Sequence, residues 1–202
     1  MKNIITIQHT QSVQHTNGMI GSWTDWELTD LGKLQAESIG RKLSAELIGK
    51  TYKIYCSDLL RAKQTAEPLA RYMGISIEFC EKLREINYGE AVGKSKLWAK
   101  ENKLLVKSFD DPEYPHAESW RAFWNRVMDL FDEIIADKAE NIILVSHGGT
   151  LKVLQEILLY SELQEFTEYG RAGSVSFMEI KDNGERIIKR LNDLSYIERA
   201  TI

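Results

Sequence analysis

Two short β-branched runs in this sequence each end in a histidine. Ile4-Ile5-Thr6-Ile7-Gln8 leads into His9. Ile142-Ile143-Leu144-Val145-Ser146 leads into His147, followed by Gly148-Gly149-Thr150 and a helical pattern of Leu151, Val153, Leu154, Ile157 and Leu158. Nearly continuous apolar runs fit strands buried on both faces. Open α/β sheets bind ligands at the C-terminal ends of such strands. A lone histidine at a strand end reads by default as a satisfied polar residue; the matching second histidine is what raises His9 above that. A third run, Tyr52 to Cys56, ends at Ser57-Asp58 and leads into a helix carrying Arg61. If the three strands are parallel, His9, Arg61 and His147 reach one edge of the sheet. Two imidazoles, a guanidinium and a glycine-led helix N-terminus suit a phosphate group.

Further blocks extend the pattern. Gln8-His9-Thr10-Gln11-Ser12 opens it. Ser57-Asp58-Leu59-Leu60-Arg61-Ala62-Lys63-Gln64-Thr65-Ala66 follows, then Leu83-Arg84-Glu85-Ile86-Asn87-Tyr88-Gly89, then Ala117-Glu118-Ser119 with Arg126, and finally Val145-Ser146-His147-Gly148. In these blocks, taken in this order, the chain resembles the histidine phosphatase superfamily, in its phosphoglycerate mutase-like branch. The resemblance implies a phosphatase acting on small phosphomonoesters. His9 would be the nucleophile that takes the phosphoryl group. Glu85 would be the general acid for the leaving alkoxide and then the base for water. Arg61 would hold the phosphoryl oxygens, and His147, if protonated, would donate a hydrogen bond and add positive charge. Gln8, Gln11, Gly21, Ser22 and Gly148 would line the phosphate and substrate pocket. Neutral imidazole is a competent nucleophile, so neither a metal nor another cofactor is implied.

The sequence departs from the family pattern twice. Gln8 stands where the family has arginine, and Thr10 where it usually has glycine. The first change removes a positive charge from a pocket built for a dianion. The expectation is reduced activity on simple esters, with a pH optimum on the acid side. Two other readings stay open: a catalytically weakened protein that binds a phosphorylated ligand, and a phosphoglycerate mutase-type phosphotransferase. A metal site from His9, Glu85, His116 and His147 is disfavoured, because an arginine shares the pattern and no His-x-x-x-His spacing occurs. Arg84 and His116 adjoin family blocks but read first as structural residues.

Strands alternating with helical patterns call for an α/β fold. With the resemblance, the expectation is a three-layer α/β/α sandwich with a mostly parallel central sheet and phosphoglycerate mutase-like topology. It would form one domain over residues 1–202. Thr29 reads as a helix N-cap, with Leu31, Leu34, Ile39, Leu43 and Leu47 as one apolar face and Gly49-Lys50 as the stop. The next helix begins near Leu59, and Pro68 should kink or break it. A short strand is expected over 75–79. Residues 81–116 are irregular, with a broken helical period over 94–106, and read as a cap-like insertion. Ser119 caps a strongly amphipathic helix running from Trp120 to Ile135. Asn183-Gly184 marks a hairpin turn within 173–191 that should supply an antiparallel edge strand.

The bulk numbers agree with this reading. The 202 residues suffice for one well-buried α/β domain. With 43% apolar and 28% charged residues the chain is of the globular class. A net charge of -4 argues against a nucleic-acid surface and gives no polybasic membrane patch. Two cysteines without a Cys-x-x-Cys motif suggest a reducing compartment, and the N-terminal residues lead straight into a strand, so the expected location is the cytoplasm. The expected partner is a small phosphorylated substrate. The oligomeric state is left open, a homodimer included.

Overall fold

A computed structural model describes residues 1–159 and 170–197. Strands form where the β-branched runs predict them. β1 (Lys2–Gln8), β2 (Lys53–Cys56) and β4 (Asn141–Ser146) lie parallel, with Gln8 opposite Ser146 and Cys56 opposite Val145. β3 (Ile77–Phe79) pairs in parallel with β2. β5 (Val175–Ile180) runs antiparallel to β1, and β6 (Arg186–Asp193) antiparallel to β5. The order across the sheet is β3-β2-β4-β1-β5-β6. The predicted hairpin therefore adds two strands, and its turn places Gly184 at φ 84°, which glycine adopts without steric cost.

The pleat sorts the runs onto two faces. Ile5, Ile7, Ile54, Ile143 and Val145 pack against α1 (Asp30–Glu46) and α2 (Leu60–Met73). Ile4, Ile142, Leu144 and Met178 pack against α4 (Trp120–Ala136) and α5 (Gly148–Leu158). Two apolar clusters on opposite faces of one sheet make the expected three-layer sandwich. Thr29 and Ser119 act as the N-caps of α1 and α4, accepting from the amides of Gly32 and Ala122.

Several local expectations give way. Pro68 neither breaks nor ends α2, which runs unbroken over Leu60–Met73. Its ring is buried against α1 at Gly40, where a Cβ would come within 2.9 Å of Pro68 and Leu69. The close helix–helix contact thus holds the proline in place. Leu34 is 65% exposed, so the buried stripe of α1 runs through Ala36, Ile39, Gly40 and Leu43 instead. Over 94–106 only α3 (Lys96–Glu101) is helical. Residues 81–116 otherwise form two short 3-10 turns, Glu81–Leu83 and Gly89–Ala91, and irregular loops. Ala91, Ala99 and Tyr114 make a small apolar cluster there, with Ile20, Tyr88 and Trp98 against it.

Candidate active site

The register of the parallel strands brings the candidate residues together. The His9 amide donates to Ser146 O at 2.8 Å, and the Ser57 amide to Val145 O at 2.9 Å, so all three strands end at one level. The His9 and His147 ring centroids lie 5.1 Å apart, edge to face. Arg61, in the first turn of α2, has no exposed surface and donates from Nε to His9 Nε2 at 3.2 Å.

Hydrogen bonding fixes the tautomer of His9. His9 Nδ1 lies 2.9 Å from the Thr10 carbonyl, an acceptor only, so Nδ1 carries the proton and Nε2 the lone pair. His147 Nε2 lies 2.8 Å from Ser57 Oγ. That hydroxyl also accepts the Leu59 amide at 3.4 Å and keeps a lone pair and a proton for the ring, so it serves either tautomer of His147. Nδ1 is buried without a protein partner. Burial, the Arg61 charge and neighbouring His15 push the His9 pKa well below the usual histidine range; burial, Arg61 and His9 do the same to His147. Both rings are neutral at pH 7. His147 would add positive charge only if protonated, and burial beside a guanidinium opposes that second charge. Burial also pushes Arg61 down to about 10, which leaves it charged.

Glu85 reaches the site from an irregular loop, yet the loop is firmly braced. Its carboxylate accepts from the Gly149 amide in the first turn of α5 at 3.0 Å. The carbonyls of the loop each take a side-chain donor: Lys82 from Arg126, Leu83 from Ser146, Arg84 from Arg126 and Thr150, Glu85 from Trp23 and Arg126, and Ile86 from Ser22. Arg126 is itself held by a two-pronged pair with Glu118 at 2.8 Å. This accounts for the Ala117-Glu118-Ser119 block, which positions the acid loop. Trp23 is the bracing tryptophan, its ring beneath the Arg84 guanidinium at 4.7 Å.

The remaining predicted residues divide. Ser22 is buried at φ 45°, its hydroxyl bound to Ile86 O and Tyr88 N and its carbonyl to Arg61 Nη2 at 2.7 Å. It joins the loop after β1 to the acid loop. Gly21 lies against Gln14, where a Cβ would stand 1.9 Å from Gln14 Oε1. Gly148 opens α5 beside the Gln8 amide. Gln8 itself is 7% exposed at the end of β1. Gln11 is not gathered in: its side-chain oxygen accepts the Thr29 hydroxyl at 2.7 Å, because the chain turns there toward the start of α1. Thr10 is buried with its hydroxyl donating to Gly32 O at 2.8 Å and lies outside the positive-φ region, so its side chain costs no strain where the family carries glycine. Arg84 is paired with Asp58, and the His116 side chain is 85% exposed beside Glu90. Among the described residues no three His, Cys, Asp or Glu side chains gather where a metal could sit.

The sequence reading missed His15. Its ring stacks on His9, centroids 5.4 Å apart. The Ser12 amide donates to its Nδ1 at 2.9 Å, so the proton sits on Nε2. The legible signal was the capping-box spacing from Ser12 to a polar residue three positions on. His15, Glu85 and Gly149 line a cavity of ≈ 270 Å³ with Met19, Ile20, Tyr88, Lys96, Trp120 and Phe123 among the walls.

A mixed α/β sheet thus presents paired imidazoles, a buried arginine and a braced glutamate at its strand ends. Residues 4–194 match the family model described as histidine phosphatase superfamily (branch 1), and the chain belongs to that family. It is similar to "Putative phosphoserine phosphatase 2" of Hydrogenobacter thermophilus, 28% identical with all of both chains covered. It is also 28% identical to the 2,3-bisphosphoglycerate-dependent phosphoglycerate mutase of Nitrobacter winogradskyi, over 77% of this chain and 80% of that one. Among solved structures, a mycobacterial glucosyl-3-phosphoglycerate phosphatase shares the fold with a TM-score of 0.80 at 19% identity, covering 95% of this chain and 98% of that one.

Proposed function

We propose that the protein hydrolyses small phosphomonoesters through a phosphohistidine on His9. The observation that carries this reading is the His9 tautomer: Nδ1–H bound to Thr10 O leaves the Nε2 lone pair on the side of Arg61. In the first step Nε2 attacks phosphorus, the ester oxygen leaves, and Glu85 gives it a proton. In the second, water loses a proton to Glu85, attacks phosphorus and releases phosphate, restoring neutral His9. Arg61 shifts its Nε donor from His9 to a phosphoryl oxygen as Nε2 becomes occupied. His147 and the amides at the start of α5 add further donors. Gln8, Gly148 and the loop through Gly21 and Ser22 surround the group, and segment 81–116 serves as a cap within a single domain. No metal or other cofactor takes part. Among the described residues no helix is long and apolar enough to cross a membrane.

A second reading has a specific observation behind it. Gln8 contributes no charge, and Arg61 already spends donors on Thr24 O, Ser22 O and His9. A pocket so short of positive charge stabilises the phosphoryl-transfer transition state poorly, which suits slow turnover of a ligand held largely by uncharged donors. Phosphate release from a panel of phosphorylated metabolites, by the wild type and by His9→Ala, separates the readings. Multiple turnovers lost in His9→Ala support hydrolysis; saturable binding with no release supports the second.

A further inference from the structure

Two Asn-Gly pairs occur in the chain, Asn17-Gly18 and Asn183-Gly184, and they are held differently. In such a pair the glycine nitrogen can reach the asparagine side-chain carbonyl, because no Cβ crowds the approach. Both pairs are exposed. Both glycines have positive φ, 71° and 84°, and a Cβ on either would meet nothing within 4 Å, so water and base have access. Both side chains fold forward: Asn17 Oδ1 accepts the Met19 amide at 2.9 Å, and Asn183 Oδ1 the Glu185 amide at 3.1 Å. A bond from residue i to i+2 lays the side-chain carbonyl over the glycine peptide and polarises it. The difference lies in the nucleophile. Gly184 N donates to Lys181 O at 2.9 Å, closing the hairpin turn. The Gly18 amide has no acceptor among the described residues, while its neighbours are pinned: Asn17 N donates to Val13 O at 3.1 Å and Ile20 N to Lys94 O at 2.8 Å.

We propose that Asn17 is a self-modification site, deamidating to aspartate and isoaspartate and thereby lowering the activity of the protein as it ages. Base takes the Gly18 N–H proton, and the nitrogen bonds to Asn17 Cγ. The Cγ–Nδ2 bond breaks, and ammonia leaves with a proton from water. Water then opens the succinimide. Attack at Cγ gives aspartate; attack at the backbone carbonyl gives isoaspartate, in which the chain runs through the former side chain. The sum is asparagine plus water to either acid plus ammonia. The position makes the change matter. On one side His15 stacks on His9; on the other Met19, Ile20 and Gly21 line the cavity that holds Glu85. Gly18 O also accepts Lys96 N at 3.0 Å, tying the loop to α3. Isoaspartate inserts a methylene into the backbone between these two halves. Either acid adds a negative charge to a loop of a pocket in which Gln8 brings no positive one. The chemical step is independent of what the site catalyses; the loss of activity rests on the reading of His9 as the phosphoryl-accepting residue.

The test ages the folded wild type and the Asn17→Ser protein in mildly alkaline buffer and follows both Asn-Gly pairs by peptide mapping and mass spectrometry. Fragmentation tells isoaspartate from aspartate. Asn17 should convert about tenfold faster than Asn183, the cost of freeing one backbone amide, and in proportion to hydroxide. The denatured chain should convert both at similar rates. In the wild type, kcat/KM on an aryl phosphate and the affinity for vanadate should fall with the converted fraction, while the aged Asn17→Ser protein keeps both. Fresh Asn17→Asp, which has the charge without the extra methylene, should lose less than the isoaspartyl form. Conversion of folded Asn183 as fast as Asn17, or none at Asn17 over the time in which the denatured chain converts, overturns the site. Equal losses in the aged wild type and Asn17→Ser overturn its effect on activity. No turnover by fresh protein, with vanadate affinity still falling as Asn17 converts, overturns the hydrolytic reading and leaves the modification standing.

Discussion

Gly149→Ala should separate the chemistry of Glu85 from the stability of the fold. A Cβ at Gly149 would lie 2.3 Å from Glu85 Oε1, about 1 Å inside ordinary van der Waals contact. The atom it meets is the end of a flexible side chain, so the carboxylate moves and the backbone stays. Gly149 lies in the first turn of α5, where alanine is a better helix former by roughly 0.5–1 kcal/mol. The variant should therefore melt at the wild-type temperature or a few degrees higher. Its catalysis should suffer. A general acid contributes about 10²–10⁴ in rate, and a misplacement of about 1 Å costs on the order of a hundredfold. The loss should fall on alkyl phosphates, whose leaving groups need a proton, and be several-fold smaller on p-nitrophenyl phosphate, whose leaving group does not. The assay is kcat on one alkyl and one aryl ester, with thermal unfolding alongside. Equal losses on the two esters, or no loss on either, would refute the assignment of Glu85 as the acid. A fall in melting temperature large enough to explain the loss would refute the claim that only the carboxylate moves.

Other predictions follow from the same geometry. His9 and His147 have pKa values held below the ordinary histidine value, so the unfolded chain binds more protons than the folded one at mildly acid pH. The stability they confer is complete above about pH 6.5 and is lost as pH falls toward the folded values, at up to about 2.7 kcal/mol per pH unit for the pair; urea unfolding at several pH values checks it. Phosphate or vanadate should be taken up together with protons, since an anion beside neutral rings raises their pKa; calorimetry in buffers of different ionisation enthalpy reads the proton count. Gln8→Arg should raise kcat/KM on a generic ester by roughly ten- to a hundredfold, as 1.5–3 kcal/mol of charge-assisted bonding implies, and no gain would sink the charge-deficit idea. Arg126→Ala should destabilise the fold by about 2 kcal/mol or more and lower kcat, because the Lys82, Arg84 and Glu85 carbonyls and Glu118 all lose their shared donor; chemical denaturation and kinetics measure both.

The frame of this protein was legible because its strands are short, β-branched and punctuated. Ile4, Ile5 and Ile7, and Ile142 to Val145, announced central strands, and the histidine after each run announced the working edge. Asn183-Gly184 announced the hairpin. Helix faces were less legible where local pattern competes with tertiary packing. Leu34 reads as core by period but faces solvent, while Gly40 sits where α1 and α2 come closest. Pro68 reads as a break by local rule, yet the packing against Gly40 keeps it inside a continuous helix. The acid loop shows no periodicity to read, since its order comes from side chains scattered over Ser22, Trp23, Arg126, Ser146 and Thr150. His15 escaped notice because its importance lies in a ring contact with His9 across a loop, and residue type alone does not disclose such a contact. Protonation states were also invisible: only burial beside Arg61 makes both histidines neutral.

The most direct test is the covalent intermediate. The Glu85→Gln protein, mixed with a radiolabelled aryl phosphate and quenched in alkali, should retain label in near-stoichiometric amount, because His9 can still be phosphorylated while the water-activating base is gone. Peptide mapping should place the label on His9, and His9→Ala should take up none. Label on another residue, or steady phosphate release from the wild type with His9 never labelled in either protein, would contradict the account.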